Sequence, residues 1–425
     1  MIYNLADTFF VGQTGDPNQV AAVTLSFPAF WTLTALANLF GVGGCSLIAR
    51  SLGAGKIDRA RKTAAFCVYA SVGSTLAYCL LVLLLKRPFL ALLGAGPTTE
   101  EFTINYLMWV LVLGGVPTVL SLVLANLVRA EGGARVASVG LSIGGILNIV
   151  LDPIFILTLG MGVKGAAIAT MLSNLAAACF FLAHLYRMRG HTVISLNPAN
   201  FTLERRLAAS VVSVGLPASI QTCLSIVSNT TLNKLASGYG EAAIAAVGIV
   251  KKLDMIPMNV TVGISQGVLP LIGYNYAANN YDRMKKVTVF TRAVAVGFSL
   301  LCVVVFEIFA RQIVGFFIPD AETVALGTTF LRILCLTTPM MAIGFLMTTM
   351  FQAVGKGRLA LSISLFRKGT LDVPMMFLMN FLVPMYGLLW TQPIVDTFAA
   401  IFAFALYSGF LRKLRERAPT GLTRP

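Results

Sequence analysis

The sequence predicts an all-α membrane protein, with twelve transmembrane helices in two six-helix lobes related by a pseudo-two-fold. Three observations predict it. Hydrophobic residues make up 57% of the chain, charged residues 12%, and the mean hydropathy is +0.82. A soluble domain carries about 25% charged residues. Apolar runs of roughly 20 residues, enough to cross ~30 Å of hydrocarbon as helices, recur from end to end. The chain also repeats itself, and two similar halves are common in transporters.

The repeat is clearest around two basic segments. Residues 53–62 and 277–286 align at an offset of 224, pairing Ala54 with Ala278, Asp58 with Asp282, Arg59 with Arg283 and Lys62 with Lys286. Upstream, Ala21-Ala22-Val23 matches Ala245-Ala246-Val247 at the same offset. Downstream, Arg129 to Arg135 answers Gln352 to Arg358 at an offset of 223.

In order, residues 1–15 hold about half a spanning helix and a Gly-rich turn, with no basic n-region or cleavage site of a signal peptide. The start reads as clipped. Helix two is expected over 20–52, interrupted by Pro28 and Gly41, Gly43 and Gly44, and the first basic loop follows. Helix three covers 64–85, a short amphipathic piece 88–93, and helix four 99–129 with Pro117 inside it. Helices five and six cover 135–157 and 165–185. The first lobe is therefore residues 1–186, and the polar stretch 187–206 is the linker. The second lobe, 207–411, holds helices at 207–237, 242–276, 287–309, 323–351, 359–382 and 387–411. A short piece at 311–317 repeats the 88–93 element, and a basic tail, 412–425, ends the chain.

Lys and Arg are unevenly shared between alternate loops. One set, with the tail, holds 21 and the other holds 4. The positive-inside rule puts the first set and both termini in the cytoplasm of a plasma-membrane protein. Six helices per half is an even number, so both halves insert the same way up, with a cleft expected between them. The net charge of +15 fits loops facing anionic lipid, and no nucleic-acid partner is expected. The seven cysteines are scattered through apolar runs and read as small apolar residues. His184 and His191 are too few for a metal constellation. Gly53-Ala54-Gly55-Lys56 is followed by Ile57 and lacks the earlier glycine of a phosphate loop, so no ATP-driven pump is predicted. No catalytic triad is present, and the chain is not expected to be an enzyme.

Polar groups inside spans are the candidates for chemistry, because a carboxylate at mid-membrane costs ~2.5–3.5 kcal/mol even on lenient scales. In the first half these are Asp7, Asn148, Asp152 and Thr170. Asn148 and Asp152 are four apart and share one helix face. Pro153 follows, removing a backbone donor and leaving the carbonyl near Ile149 short of a partner. Carboxylate, amide oxygen and freed carbonyl together could hold a proton, or Na⁺ at Asp7, Asn148 and Asp152. The bland alternative is that Asn148 and Asp152 cap or brace a kinked helix.

The second half departs from this pattern. Asp372 has Lys368 four residues before it in place of an Asn, while Lys251, Lys252, Asp254, Arg367 and Asp396 complete a set of opposite charges. A static ion-pair cluster is the favoured reading and a polar cavity lining the other. Eleven of the 16 methionines follow residue 250. Such flexible side chains, Met258 among them, suit a surface for varied apolar ligands, though packing explains most of them. Gln221, Asn229, Asn233 and Gln266 are further cavity candidates on the same logic.

Asn4-Leu5-Ala6-Asp7-Thr8-Phe9-Phe10-Val11-Gly12 resembles the first-helix motif of the multidrug and toxic compound extrusion (MATE) transporters. Asn148-x-x-x-Asp152-Pro153 resembles their fifth-helix motif, and Arg129-Ala130-Glu131-Gly132 their fourth-helix exit. The resemblance covers essentially the whole chain. It implies that Asp7, Asn148, Asp152 and Thr170 fall on the family's first-lobe cation site, with Tyr106 at its tyrosine. Ser225 stands where one branch has a helix-seven acid, which points to the MepA/DinF-like prokaryotic branches. The family has some tens of residues before the Asp7 motif, so the first helix is expected to be truncated here. The implied activity is cofactor-free antiport by a monomer. An organic, cationic and amphipathic compound leaves in exchange for H⁺ or Na⁺ by alternating access. A lipid-linked oligosaccharide flippase of the same superfamily, and a non-transporting scaffold or receptor, are the alternatives.

Overall fold

A computed structural model describes residues 10–318 and 320–417. Contacts group the chain into two compact units. One runs through Cys223 and includes Gly273–Asn279; the other comprises Leu224–Ile272 and the chain from Asn280 onward.

In the first unit, α1 (Pro17–Gly53) is capped by Asp16, whose carboxylate accepts from the Asn18 amide. α2 (Ile57–Leu84) and the short α3 (Lys86–Leu93) follow. α4 (Glu100–Leu107) runs through a π-helical stretch, Met108–Leu113, into α5 (Gly115–Ala130), and the pair bends by 47°. Pro117, lacking a donor in the first turn of α5, keeps the ladder from closing across the bend. α6 (Ala134–Pro153) continues as a π-helical stretch, Ile154–Thr158, and α7 (Gly162–Arg187) leads into the polar linker.

α8 (Arg205–Ser237) and α9 (Glu241–Ala277) each contribute residues to both units. Within the first unit, α1 and the start of α8 cross at backbone distance. A Cβ on Gly215 would lie 1.8 Å from the Leu39 carbonyl oxygen, and one on Gly43 2.2 Å from that of Val211. The Ser219 hydroxyl donates to the Ala35 carbonyl at 2.6 Å beside that crossing.

In the second unit, α10 (Tyr281–Phe317) precedes α11 (Ala321–Cys335) and α12 (Thr338–Ala353), which together bend by 42° ahead of Pro339. Asp320 caps α11, and the Thr323 amide and hydroxyl hold its carboxyl below the usual 3.8. α13 (Gly357–Ser364), a π-helical stretch at Leu365–Leu371 and α14 (Asp372–Leu382) form one interrupted element, and α15 (Tyr386–Arg417) is last.

Eight of these helices are long and apolar enough to cross a bilayer singly, and the two bent pairs bring the number to ten. The interrupted element over 357–382 carries the charges of 367–372 at its centre. This arrangement fits the twelve-helix layout. The first expected helix falls on residues 1–15, of which only those from Phe10 are described.

Two expectations are corrected. The basic segments at 53–62 and 277–286 are not loops throughout: the turns are only Ala54–Lys56 and Ala278–Asn280, and apart from Lys56 the Arg and Lys residues sit within the first two turns of α2 and α10. Asp58 and Asp282 in those turns complement the helix N-terminus, and Asp58 pairs with Lys62 at 2.8 Å. The piece at 311–317 is not separate either; it is the end of α10. Its first-half counterpart breaks away because Pro88 cannot donate back into α2, whereas Gln312 stands at the equivalent place in α10.

The backbone itself carries the repeat. Gly55 (φ +70°) and Asn279 (φ +58°), 224 apart, both take the left-handed conformation, as do Gly132 (φ +93°) and Gly355 (φ +77°), 223 apart. Lys56 and Asn280, the next residues, have φ/ψ of −93°/69° and −88°/69°. Equal turns at equal spacing are what a duplicated corner requires.

Candidate functional site

α6 presents Asn148 and Asp152 one turn apart on a buried face, and α7 brings Thr170 against them. Their exposures are 1%, 0% and 1%. The Asn148 Nδ2 group donates to Asp152 Oδ1 at 3.2 Å and to Thr170 Oγ1 at 3.3 Å. Both amide hydrogens are thereby spent. Asn148 Oδ1 is buried with no hydrogen-bond partner among the described residues. Such an orphan acceptor costs about 1–3 kcal/mol and is satisfied by a proton donor or a cation. The donor set is a carboxylate, an amide oxygen and a hydroxyl. It suits a proton or a hard cation, which prefers oxygen ligands. The proline that ends α6 explains the local shape: Pro153 cannot bond back to Ile149, and the helix widens into the π-helical stretch after it.

Asp7 lies outside the described residues. Tyr106 is buried at the end of α4, which packs on α7, the helix carrying Thr170. Among the described residues no group of three His, Cys, Asp or Glu could hold a metal ion.

The second unit holds a different cluster. The Arg367 Nε group donates to Asp396 Oδ1, and the Thr337 hydroxyl donates to Asp396 Oδ2 at 2.5 Å. The Arg367 guanidinium stacks 4.9 Å over the Phe345 ring. Lys368 Nζ lies 2.6 Å from Asp372 Oδ2 and 3.3 Å from Gln392 Oε1. Asp372 also accepts from Ser228 Oγ at 2.7 Å and Gln392 Nε2 at 2.6 Å. Two cations and two carboxylates thus neutralise one another. Asp254 and Gln266 on α9 each have a buried oxygen without a hydrogen-bond partner among the described residues. Asn229, Asn233 and Lys252 are exposed, while Gln221 and Met258 are half-buried.

Ser228, Thr337, Phe345 and Gln392 were not anticipated from the sequence. Gln392 carried a usable signal: it stands four residues before Asp396, the spacing already noted between Asn148 and Asp152.

The MatE family model matches the chain twice, over residues 1–154 and 217–378. The multidrug export protein MepA of Staphylococcus aureus (strain MSSA476) is 33% identical over 407 residues, 96% of this chain and 89% of that protein. MepA of Staphylococcus saprophyticus is 31% identical over 406 residues, with the same coverage of both chains. Among solved structures, an outward-facing multidrug resistance MATE family transporter of the MOP superfamily superposes with a TM-score of 0.91. It is 28% identical, and the match covers 98% of this chain and 92% of that one. With the family model covering both halves, relatives above 30% identity along nearly the whole chain, and the same fold, the chain belongs to the MatE family of membrane transporters.

Proposed function

We propose that the chain is an ion-coupled exporter of organic, cationic and amphipathic compounds. H⁺ or Na⁺ would enter at Asn148, Asp152 and Thr170, with Asp7 and Tyr106 contributing as the family resemblance implies. The observation that carries this reading is the buried trio, in which one carboxylate and one orphan amide oxygen sit together with no basic residue among them. The names of the staphylococcal relatives, multidrug export proteins, support the substrate class.

The mechanism is alternating access between two halves, 1–186 and 207–411, joined through 187–206, in a monomer of the plasma membrane with cytoplasmic termini. Occupying the trio changes the charge beside Pro153. The π-helical stretch there has a ladder already loosened, so it is where α6 can change its bend at low cost. One inward charge supplies about 2.3 kcal/mol per 100 mV, roughly a fortyfold gradient at ~1.4 kcal/mol per decade. That drives efflux without ATP. Arg367 and Lys368 are each engaged by a carboxylate, so they do not favour the pyrophosphate site of a flippase.

The test is dye efflux from proteoliposomes under separately imposed H⁺ and Na⁺ gradients. Wild type is expected to respond to one of the two, and Asp152→Asn to lose that response while keeping its fold. Full gradient-driven efflux by Asp152→Asn would remove Asp152 from the mechanism.

A further inference from the structure

Arg292 is a charge for which neither the coupling trio nor the ion-pair cluster has a use. It lies within the long apolar α10, six residues beyond Lys286, the last of the basic residues at that end. At 1.5 Å per residue its Cα sits ~9 Å deeper than that of Lys286. Among the described residues it makes no ion pair and no hydrogen bond to a side chain; its one contact of this kind is the Phe404 ring, 5.9 Å from the guanidinium carbon. A half-buried arginine this far along an apolar helix is retained where something polar meets it.

The surroundings indicate what meets it. α10 and α15 both pack against α12. Phe404 on α15 is 48% exposed, and the buried Tyr407 packs beneath it with ring centroids 6.4 Å apart. The patch is therefore one exposed aromatic ring beside a half-buried cation, below the basic ends of both helices: Arg283, Lys285 and Lys286 on α10, Arg412 and Lys413 on α15.

The repeat supplies a control. Residue 292 corresponds to Val68 on α2, 224 earlier, which is buried. Beside it, Tyr69 donates to the Leu196 carbonyl at 2.6 Å and meets the Phe201 ring edge-on. In the first unit that stretch of helix is covered by the protein's own linker. In the second unit the same stretch carries a half-buried arginine beside the exposed Phe404 ring.

We propose that Arg292, with Phe404, binds the phosphate of an anionic phospholipid in the leaflet at the basic end of α10. The guanidinium snorkels toward the headgroup level along the Phe404 face. The flanking Lys and Arg residues favour a lipid of net negative charge over a zwitterionic one.

The test uses the full chain, purified in detergent and titrated with phosphatidylglycerol or phosphatidylcholine, with bound lipid counted by native mass spectrometry. Wild type should retain phosphatidylglycerol preferentially. Arg292→Gln should weaken that retention about fivefold, the equivalent of ~1 kcal/mol per basic residue at an anionic surface at 1.4 kcal/mol per decade. Phosphatidylcholine binding should not change, and Arg292→Lys should keep the preference. No preference in wild type, or unchanged retention in Arg292→Gln, overturns the proposal. So does displacement of the lipid by inorganic phosphate at the same concentration, which would make the ligand a free anion. Should Arg292→Gln fail to elute as a folded protein, Phe404→Leu takes its place, and undiminished phosphatidylglycerol retention there is equally fatal.

Discussion

The two units handle buried charge in opposite ways. In the first, Asn148, Asp152 and Thr170 place one acidic group among neutral oxygens and an amide. In the second, Arg367, Lys368, Asp372 and Asp396 interlock, with Ser228, Thr337 and Gln392 filling the remaining lone pairs and protons. A self-neutralised cluster resists change, because losing any member strands its partner in low dielectric. An acid bonded to an amide rather than to a buried cation can take up a proton or a cation without stranding a buried positive charge. The difference suggests a division of labour, with an ion site in one unit and a fixed brace in the other.

The sharpest way to break this comparison is at Asp396. Asp396→Asn should leave Arg367 buried without its counter-charge and cost about 3–5 kcal/mol, whereas the double variant Arg367→Met, Asp396→Leu should regain most of that loss. Thermal unfolding in detergent, compared with Asp152→Asn, measures it. Equal melting of Asp396→Asn and wild type would deny the brace. The reverse pattern, with Asp152→Asn the less stable, would deny the contrast.

A second contrast concerns the corners at 129–135 and 352–358. Glu131 accepts from the Thr192 hydroxyl at 2.7 and 2.8 Å, the Ile194 amide at 3.1 Å and the Val193 amide, and so fastens the start of the linker; its counterpart at offset 223 is Val354. Glu131→Ala orphans these donors at about 1–3 kcal/mol, and limited proteolysis within 187–206 should accelerate. Val354→Ala should leave that cleavage unchanged. Cleavage at the wild-type rate in Glu131→Ala would show that the linker is held by Tyr69 and Phe201 alone.

The smallest effect is expected at the paired turns. Gly55 has nothing within 4 Å of a built Cβ, so Gly55→Ala should cost only the left-handed strain, about 1–2 kcal/mol. Asn279→Gly should be milder, since asparagine already tolerates that region less well than glycine does. A larger loss at Asn279 than at Gly55 would mean that the Asn279 side chain has a role beyond the turn.

Chain spacing alone determined a good deal of this protein. Long apolar runs leave a backbone no solution but helices across a bilayer, so the class follows from composition. A constant offset of 223–224 exposes the duplication, and four-residue spacing puts Asn148 and Asp152 on one face whatever surrounds them. Prolines located the weak points of α5 and α6, whereas the bend ahead of α12 was not anticipated. Only the tertiary structure decided which helix faces which. It brought Thr170 to Asn148 across 22 residues, Ser228 to Asp372 across 144, and the linker to Glu131 across about 60. It also left Asn229, Asn233 and Lys252 exposed, though they share a helix or a charge pattern with buried neighbours. The physical reason is that a helix's own periodicity fixes its faces but not its rotation or depth against a neighbour. Those are set by side-chain packing and by close approaches such as Gly43 and Gly215.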